Sequence, residues 1–276
     1  MLPAVKMKSI SILGCGWLGF PLAQALLKCG AQVKGSTTHA EKLDLLRQAG
    51  VAPYLIQCDP AVSGDELTDF FQTDILVITL PFKRNLDNPR YYQKQIDSIV
   101  AAAVSLPRIR FVIFTSSTSI YPRNASWAAE DVMFLPDNPR SQVLWDIEQN
   151  LLNNKKFDAT IVRFAGLYGE SRPIGCFLAG QKDFPDGDQP VNLIHQEDAV
   201  GIIHEIIQQD IRGEIFNACS DGHPTRRELY TQAALKQGLA SPTFLPNSSP
   251  SPPKIVSNKK LRERLRYRFA HPDPLK

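Results

Sequence analysis

The segment 9–28, SISILGCGWLGFPLAQALLK, constrains the fold more than any other part of the chain. Five strand-like residues, 9–13, run straight into Gly14, Gly16 and Gly19, and an apolar helical pattern on Leu18, Leu22, Ala25 and Leu26 follows without a gap. Strand, glycine turn and helix in that order give each glycine a task. Gly14 turns the chain tightly off the strand, Gly16 keeps any Cβ away from an approaching diphosphate, and Gly19 lets the helix lie close to the sheet. Backbone N–H groups from Gly14, Cys15, Gly16, Trp17, Leu18 and Gly19 then frame an anion at the positive end of the helix dipole. A glycine-rich turn alone is weak evidence. Here its context is complete, with a second strand beginning near Gln32, and the expectation is a dinucleotide site.

With 276 residues, 43% of them hydrophobic, the chain has room for a large α/β domain and a small additional lobe. The net charge of +3 provides no concentrated basic face and no reason to expect nucleic acid. Five scattered cysteines form no C-x-x-C pair, which argues against zinc or a disulfide framework and fits a reducing cytoplasm; no metal site is expected. The leading residues 1–14 carry lysines, but their short apolar run enters the glycine turn rather than a cleavage site. No run of about 18 apolar residues marks a membrane span elsewhere.

Along the chain, residues 32–36 predict a second strand and residues 36–50 a turn and a helix closed by Gly50. An acidic residue at the end of this strand would bind the adenosine ribose hydroxyls and repel a 2′-phosphate. Ser36, Thr37, Thr38 and His39 stand there instead, with Lys42 one turn later, so NADP is the expected cofactor ahead of NAD. The competing reading is a polar helix entry whose hydroxyls cap amides. A third strand is expected at 54–57, ending in Cys58 and Asp59, a short helix at 66–71, and a fourth strand at 75–79. Asp59, Thr79, Leu80 and Pro81 are candidate cofactor neighbours because ligands of open parallel sheets sit beyond the carboxyl ends of the strands. Ordinary turn chemistry explains them equally well.

Residues 89–106 predict a helix with Tyr92, Ile96, Ile99, Val100 and Ala103 on one stripe, and 139–151 a second with a stripe on 143–151. Such stripes serve either as core or as the seam of a homodimer. Between these helices a strand at 111–114 ends in TSSTSIY, residues 115–121, where five consecutive hydroxyl residues suit hydrogen bonding to a substrate. Further strands are expected at 159–163, 191–194 and 214–218, helices at 197–207, 226–236 and 258–269, and a proline-rich loop at 241–253. The basic face of the 258–269 helix is read as solvated, packed on Leu261 and Leu265.

The glycine turn, TSSTSIY, VRFAGLYG at 162–169, VNLIHQEDAV at 191–200 and GEIFNACS at 213–220 together resemble the extended short-chain dehydrogenase/reductase superfamily, the NAD-dependent epimerase/dehydratase group. That resemblance spans nearly the whole chain. It implies a Rossmann-like doubly wound parallel sheet with a small C-terminal substrate lobe, divided as an NAD(P)-binding domain at 1–165 and a mixed region at 166–276. It also places Ser117, four residues before Tyr121, at the family's substrate-binding hydroxyl. The departure is at the family's Tyr-x-x-x-Lys pair: counting back from Glu148 puts Leu144 at the lysine position and Arg140 at the tyrosine position. Arginine is effectively always charged and leucine supplies no ammonium, so neither does the expected proton chemistry.

Two functions follow. One is an NADP- or NAD-dependent oxidoreductase or epimerase-like enzyme on a small polar substrate. It would use Ser117, Tyr121 and Arg140 as catalytic candidates and Ser116, Ser117, Tyr121, Arg140 and Tyr168 to hold substrate, with Thr115 beside the cofactor. In that reading Arg140 clamps an anionic group and Tyr121 or Tyr168 replaces the lost proton donor. The other is a non-catalytic NADP(H)-binding or redox-sensing protein. Arg163 is read equally as tying down a loop or touching ligand, and His195 and Asp198 as structural before functional.

Overall fold

A computed structural model describes residues 8–83, 86–123, 125–246 and 252–276. Most of the leading segment, and parts of the loops 82–90, 122–138 and 241–253, lie outside them. Seven strands form the main parallel sheet: β1 (Ser9–Leu13), β2 (Gln32–Thr37), β3 (Ala52–Leu55), β4 (Ile75–Ile78), β5 (Phe111–Ser117), β6 (Asp158–Phe164) and β7 (Ile215–Ala218). Their order is β3-β2-β1-β4-β5-β6-β7. β1 lies between β2 and β4, with Ile12 opposite Gly35 on one side and Val77 on the other. The order therefore reverses at β1, and the turn leaving β1 sits at the switch point where such sheets bind ligands. Every residue of β1 and β4 is buried, as expected of strands covered on both faces.

The helices are α1 (Gly19–Lys28), α2 (Leu43–Gln48), α3 (Leu67–Phe71), α4 (Arg90–Ser105), α5 (Pro139–Leu152), α6 (Gln196–Gln208), α7 (Arg226–Lys236) and α8 (Lys259–Leu265). Local chemistry sets several boundaries. Asn138 and Ser141 form a capping box at the start of α5 with Pro139 at its first position, and Thr225 and Glu228 do the same for α7. α8 stops at Arg266 in the left-handed conformation, shorter than the 258–269 helix expected. No helix among the described residues is long and apolar enough to cross a membrane. All five cysteines are free.

The chain divides into two compact units. The first comprises 1–116, 136–162 and 203–215, and the second 117–135, 163–202 and 216–276. Within the first, the stripes on α4 and α5 are consumed by packing inside the chain: Tyr92, Ile96, Ile99 and Ala103, and Val143, Leu144, Ile147 and Leu151, are all buried. These residues belong to the core of the chain itself, while Val100 of the α4 stripe is half-buried. The third strand is also corrected. It ends at Leu55, and Gln57–Asp59 pairs antiparallel with Ala61–Ser63 in a separate hairpin. Gly64 tucks against the Leu55 carbonyl, where an added Cβ would come within 2.6 Å.

Candidate functional site

In the first unit, the glycine turn is built from both neighbouring strands. The Gly14 amide donates to Ser36 Oγ at 2.9 Å and the Cys15 amide to the Ser36 carbonyl at 2.7 Å. Thr79 Oγ1 donates to the Leu13 carbonyl at 3.0 Å and the Gly14 carbonyl at 2.7 Å. Gly14 adopts φ +105°, and a Cβ there would meet Thr79 Oγ1 at 2.9 Å. At Gly19 a Cβ would fall 2.3 Å from the Gly14 carbonyl oxygen, so only glycine allows α1 to start so close to the turn. Gly16 is different. It is exposed, and a Cβ there would meet nothing within 4 Å.

No side chain caps α1 at Leu18, and no acidic residue stands in its first turn. An uncapped helix start beside an exposed glycine with open space above it fits a diphosphate, which would take the N–H groups no side chain satisfies. Cys15 cannot contribute a thiolate. Its side chain packs into the space over Gly35, and burial pushes the thiol up to about 12.

The other cofactor candidates are more committed than their positions promise. Ser36 is buried with its hydroxyl on the Gly14 amide, and Thr37 Oγ1 accepts from the His39 amide at 3.2 Å. The Thr38 carbonyl accepts from Gln57 Nε2, and exposed His39 places Nδ1 3.3 Å from Glu41. Glu41, two residues beyond His39, is an acidic neighbour that attention to 36–39 and Lys42 passes over. Asp59 sits on the hairpin and accepts from Tyr91 Oη. Along the same face of α4, Gln95 bonds the Cys58 carbonyl and Ser98 the Val62 amide, so Asp59 belongs to a hairpin clamp at i, i+4 and i+7. The Leu80 carbonyl accepts from Tyr92 Oη at 2.9 Å, and Pro81 follows it exposed.

Arg140 is not a free anion clamp. Its guanidinium lies 3.8 Å over the Phe82 ring and donates to the Phe82 and Lys83 carbonyls at 3.3 and 3.0 Å. Phe82 in turn stacks on Tyr92 at 4.5 Å. The residue at the family's tyrosine position thus pins the loop that follows β4, and Leu144, at the lysine position, is buried. Thr115 Oγ1 donates to the Ile78 carbonyl at 3.1 Å. Ser116 Oγ donates at 2.5 Å to Glu148, whose side chain is wholly buried.

In the second unit, Ser117 Oγ accepts the Ser119 amide at 3.1 Å and caps a short 3₁₀ turn. Its own O–H proton is left for another acceptor. Tyr121 is 2% exposed. Its hydroxyl donates to Asn217 Oδ1 at 2.9 Å and accepts from Arg163 Nη1 at 2.8 Å, while burial raises its pKa. A phenol so enclosed is structural, which corrects its expected role as replacement proton donor. Arg163 is 1% exposed and also faces the rings of Tyr121 and Phe134. Glu130 completes the cluster by accepting the Asn217 amide at 2.6 Å, and burial raises its carboxyl pKa.

Tyr168 packs edge-on against His195, and its phenol is pushed up to about 12 by burial and by Asp198 and Asp273. Such a phenol stays protonated at neutral pH. Asp198, fully buried, holds the C-terminal segment. It accepts from Tyr267 Oη at 3.1 Å, the Ala270 amide at 2.7 Å and the His271 amide at 2.9 Å. No sequence signal connects it to partners about 70 residues away.

Sheet order, switch point and glycine turn define a Rossmann-type protein with the fold of the extended short-chain dehydrogenase/reductases and NAD-dependent epimerases. No family model matches the sequence. The chain belongs to the YeeZ family: it is 36% identical to Protein YeeZ of Escherichia coli (strain K12) over 271 residues, 98% of each chain. Among solved structures it is similar to a functionally unknown conserved protein from Silicibacter pomeroyi, with TM-score 0.76, 21% identity and 97% and 95% of the two chains covered. UDP-glucuronic acid 4-epimerase from Bacillus cereus, in complex with NAD, matches with TM-score 0.77 and 17% identity over 95% and 92%.

Proposed function

We propose that the chain binds a nicotinamide dinucleotide through its glycine turn and acts as an oxidoreductase- or epimerase-like protein on a small polar substrate. The observation that carries this reading is open space at Gly16 beside the uncapped start of α1, held in place by Ser36 and Thr79. The NAD held by the similar Bacillus cereus epimerase supports it. When bound, the nicotinamide supplies hydride exchange with a carbon bearing a hydroxyl or carbonyl. The chain's own share is to seat the diphosphate on backbone amides, to fix the turn through Thr79, and to offer the Ser117 hydroxyl to a substrate oxygen. NADP stays ahead of NAD only through Thr38, His39 and Lys42, since Ser36 and Thr37 are engaged and Glu41 faces His39.

A second reading, a cofactor-binding or redox-sensing protein without turnover, draws on a specific observation. Arg140 is occupied with the Phe82 loop, Leu144 is core and Tyr121 is enclosed, so none of the three replaces the lost acid/base pair. Calorimetric titration with NADH and NADPH tests binding. Multiple turnovers with any aldehyde, ketone or nucleotide-sugar then favour the enzyme. Binding without turnover, and with Arg140→Ala leaving cofactor affinity unchanged, favours the sensor.

A further inference from the structure

Away from the glycine turn, and wholly within the second unit, a cavity of about 260 Å³ lies between α7, the Ile174–Cys176 turn and the C-terminal segment. One side is apolar: Ile174 and Leu229 belong to a buried cluster on which Leu275 packs. The other side carries charge of one kind. Among the described residues the lining holds Lys236, Lys276, His195, His271 and Tyr168, and neither Asp nor Glu.

Three nearby acids are already engaged by the protein, and a fourth, exposed Glu170, acts on His195 through its charge. Glu197 pairs with His271 Nε2 at 2.9 Å, Asp273 lies 3.7 Å from Lys276 Nζ and accepts the Leu275 amide, and Asp198 is buried under the chain it holds. His195 Nδ1 accepts the Glu197 amide at 3.2 Å, which puts the proton of its neutral ring on Nε2 and makes that nitrogen a donor. Lys236 Nζ gives one hydrogen bond, at 2.9 Å to the Leu275 carbonyl, and an ammonium has three to give.

The walls are fixed independently of any ligand. Asp198 anchors residues 267–271, the Gly222 amide donates to the Pro272 carbonyl at 2.9 Å, and Gly175 sits so close to α7 that a Cβ would meet the Ala233 carbonyl at 2.5 Å. A preformed pocket with an apolar floor, several cationic or donor groups and no Asp or Glu in its lining is complementary to an amphipathic anion.

We propose that this cavity binds a small organic acid, with its carboxylate toward Lys236 and the two histidines and its apolar body against Ile174, Leu229 and Leu275. The size admits a molecule of roughly ten non-hydrogen atoms. His195, Glu197 and His271 also bring ligand-type atoms within 4.8 Å of one another. A divalent ion is the weaker reading, because the Glu197 amide occupies His195 Nδ1 and the Glu197 carboxylate occupies His271 Nε2.

Saturation-transfer NMR on the full-length protein, with hexanoate as probe and hexylamine as control, tests the proposal. Saturable hexanoate binding is expected, with no competition from hexylamine. His271→Gln and Lys236→Met should each weaken it by about tenfold, the loss of one charge-assisted hydrogen bond. Gln232→Trp, a substitution at an exposed lining position, should block it without touching the core. NADH should leave the affinity unchanged, so failure here is distinct from failure at the glycine turn. Absence of saturable hexanoate binding, equal affinity in the folded variants, or Zn²⁺ binding lost in His271→Gln without hexanoate binding would each overturn it.

Discussion

At Gly14–Gly19 the Gly14, Cys15 and Gly16 amides are tied within the turn, and three glycines and an uncapped helix start leave open space over Gly16. Around Arg163 it does the reverse. There Tyr121, Asn217, Glu130 and the guanidinium satisfy one another in a cluster of which Tyr121, Arg163 and Asn217 are almost wholly buried. A site retained for a ligand keeps its polar groups available, whereas one given over to structure pairs them internally. Arg140 follows the second pattern, with its guanidinium on Phe82 and on two carbonyls of the adjoining loop.

The contrast can be broken most forcefully at Arg163. Arg163→Met strips the Tyr121 hydroxyl of its donor and removes one of the two positive charges, with Lys260, that act on Glu130, and should cost about 3–5 kcal/mol in urea unfolding. A loss below about 1 kcal/mol would mean that the cluster does not act as a unit. Next in size is Gly19→Ala. Its methyl group would fall on the Gly14 carbonyl, so about 1–3 kcal/mol of stability and the cofactor site should go together. Arg140→Ala should cost about 1 kcal/mol through the lost ring contact and loop bonds. Limited proteolysis within 80–90 should quicken; a protected loop would assign its order to something else.

The sequence disclosed these regions unequally, for a physical reason. At the glycine turn the residue types are dictated by backbone geometry within a dozen positions, so strand, turn and helix were legible, as were α4 and α5 from their apolar stripes. Tyr121 was not, because its partners lie 42 and 96 residues away in sequence and its position alone resembled that of a catalytic phenol. The extra hairpin at 57–63 was hidden too: Gln57 and Asp59 alternate around Cys58 as a continuing strand would, and nothing local marks the break after Leu55. Ser36 is expected beside the adenosine 2′-position, but its hydroxyl bonds the Gly14 amide, a contact visible only once β1 and β2 are side by side.

A smaller effect concerns acid. Burial lowers the pKa of both His195 and His223, and no described atom bonds His223 Nδ1. The unfolded chain therefore takes up these protons more readily than the folded one. Stability from the neutral rings is fully present above about pH 6.5 and declines as pH falls toward their depressed folded values. His223→Gln should flatten the decline of Tm between about pH 7 and about 5.5, and an unchanged slope would remove His223 from the account.

The most direct measurement is calorimetric titration of Gly16→Val with NADH and NADPH beside the unaltered chain. A Cβ added at Gly16 meets nothing within 4 Å, so Tm should hold while cofactor affinity falls by at least about tenfold. Equal affinity in the two proteins, or no binding in either, would contradict a diphosphate seat at this turn.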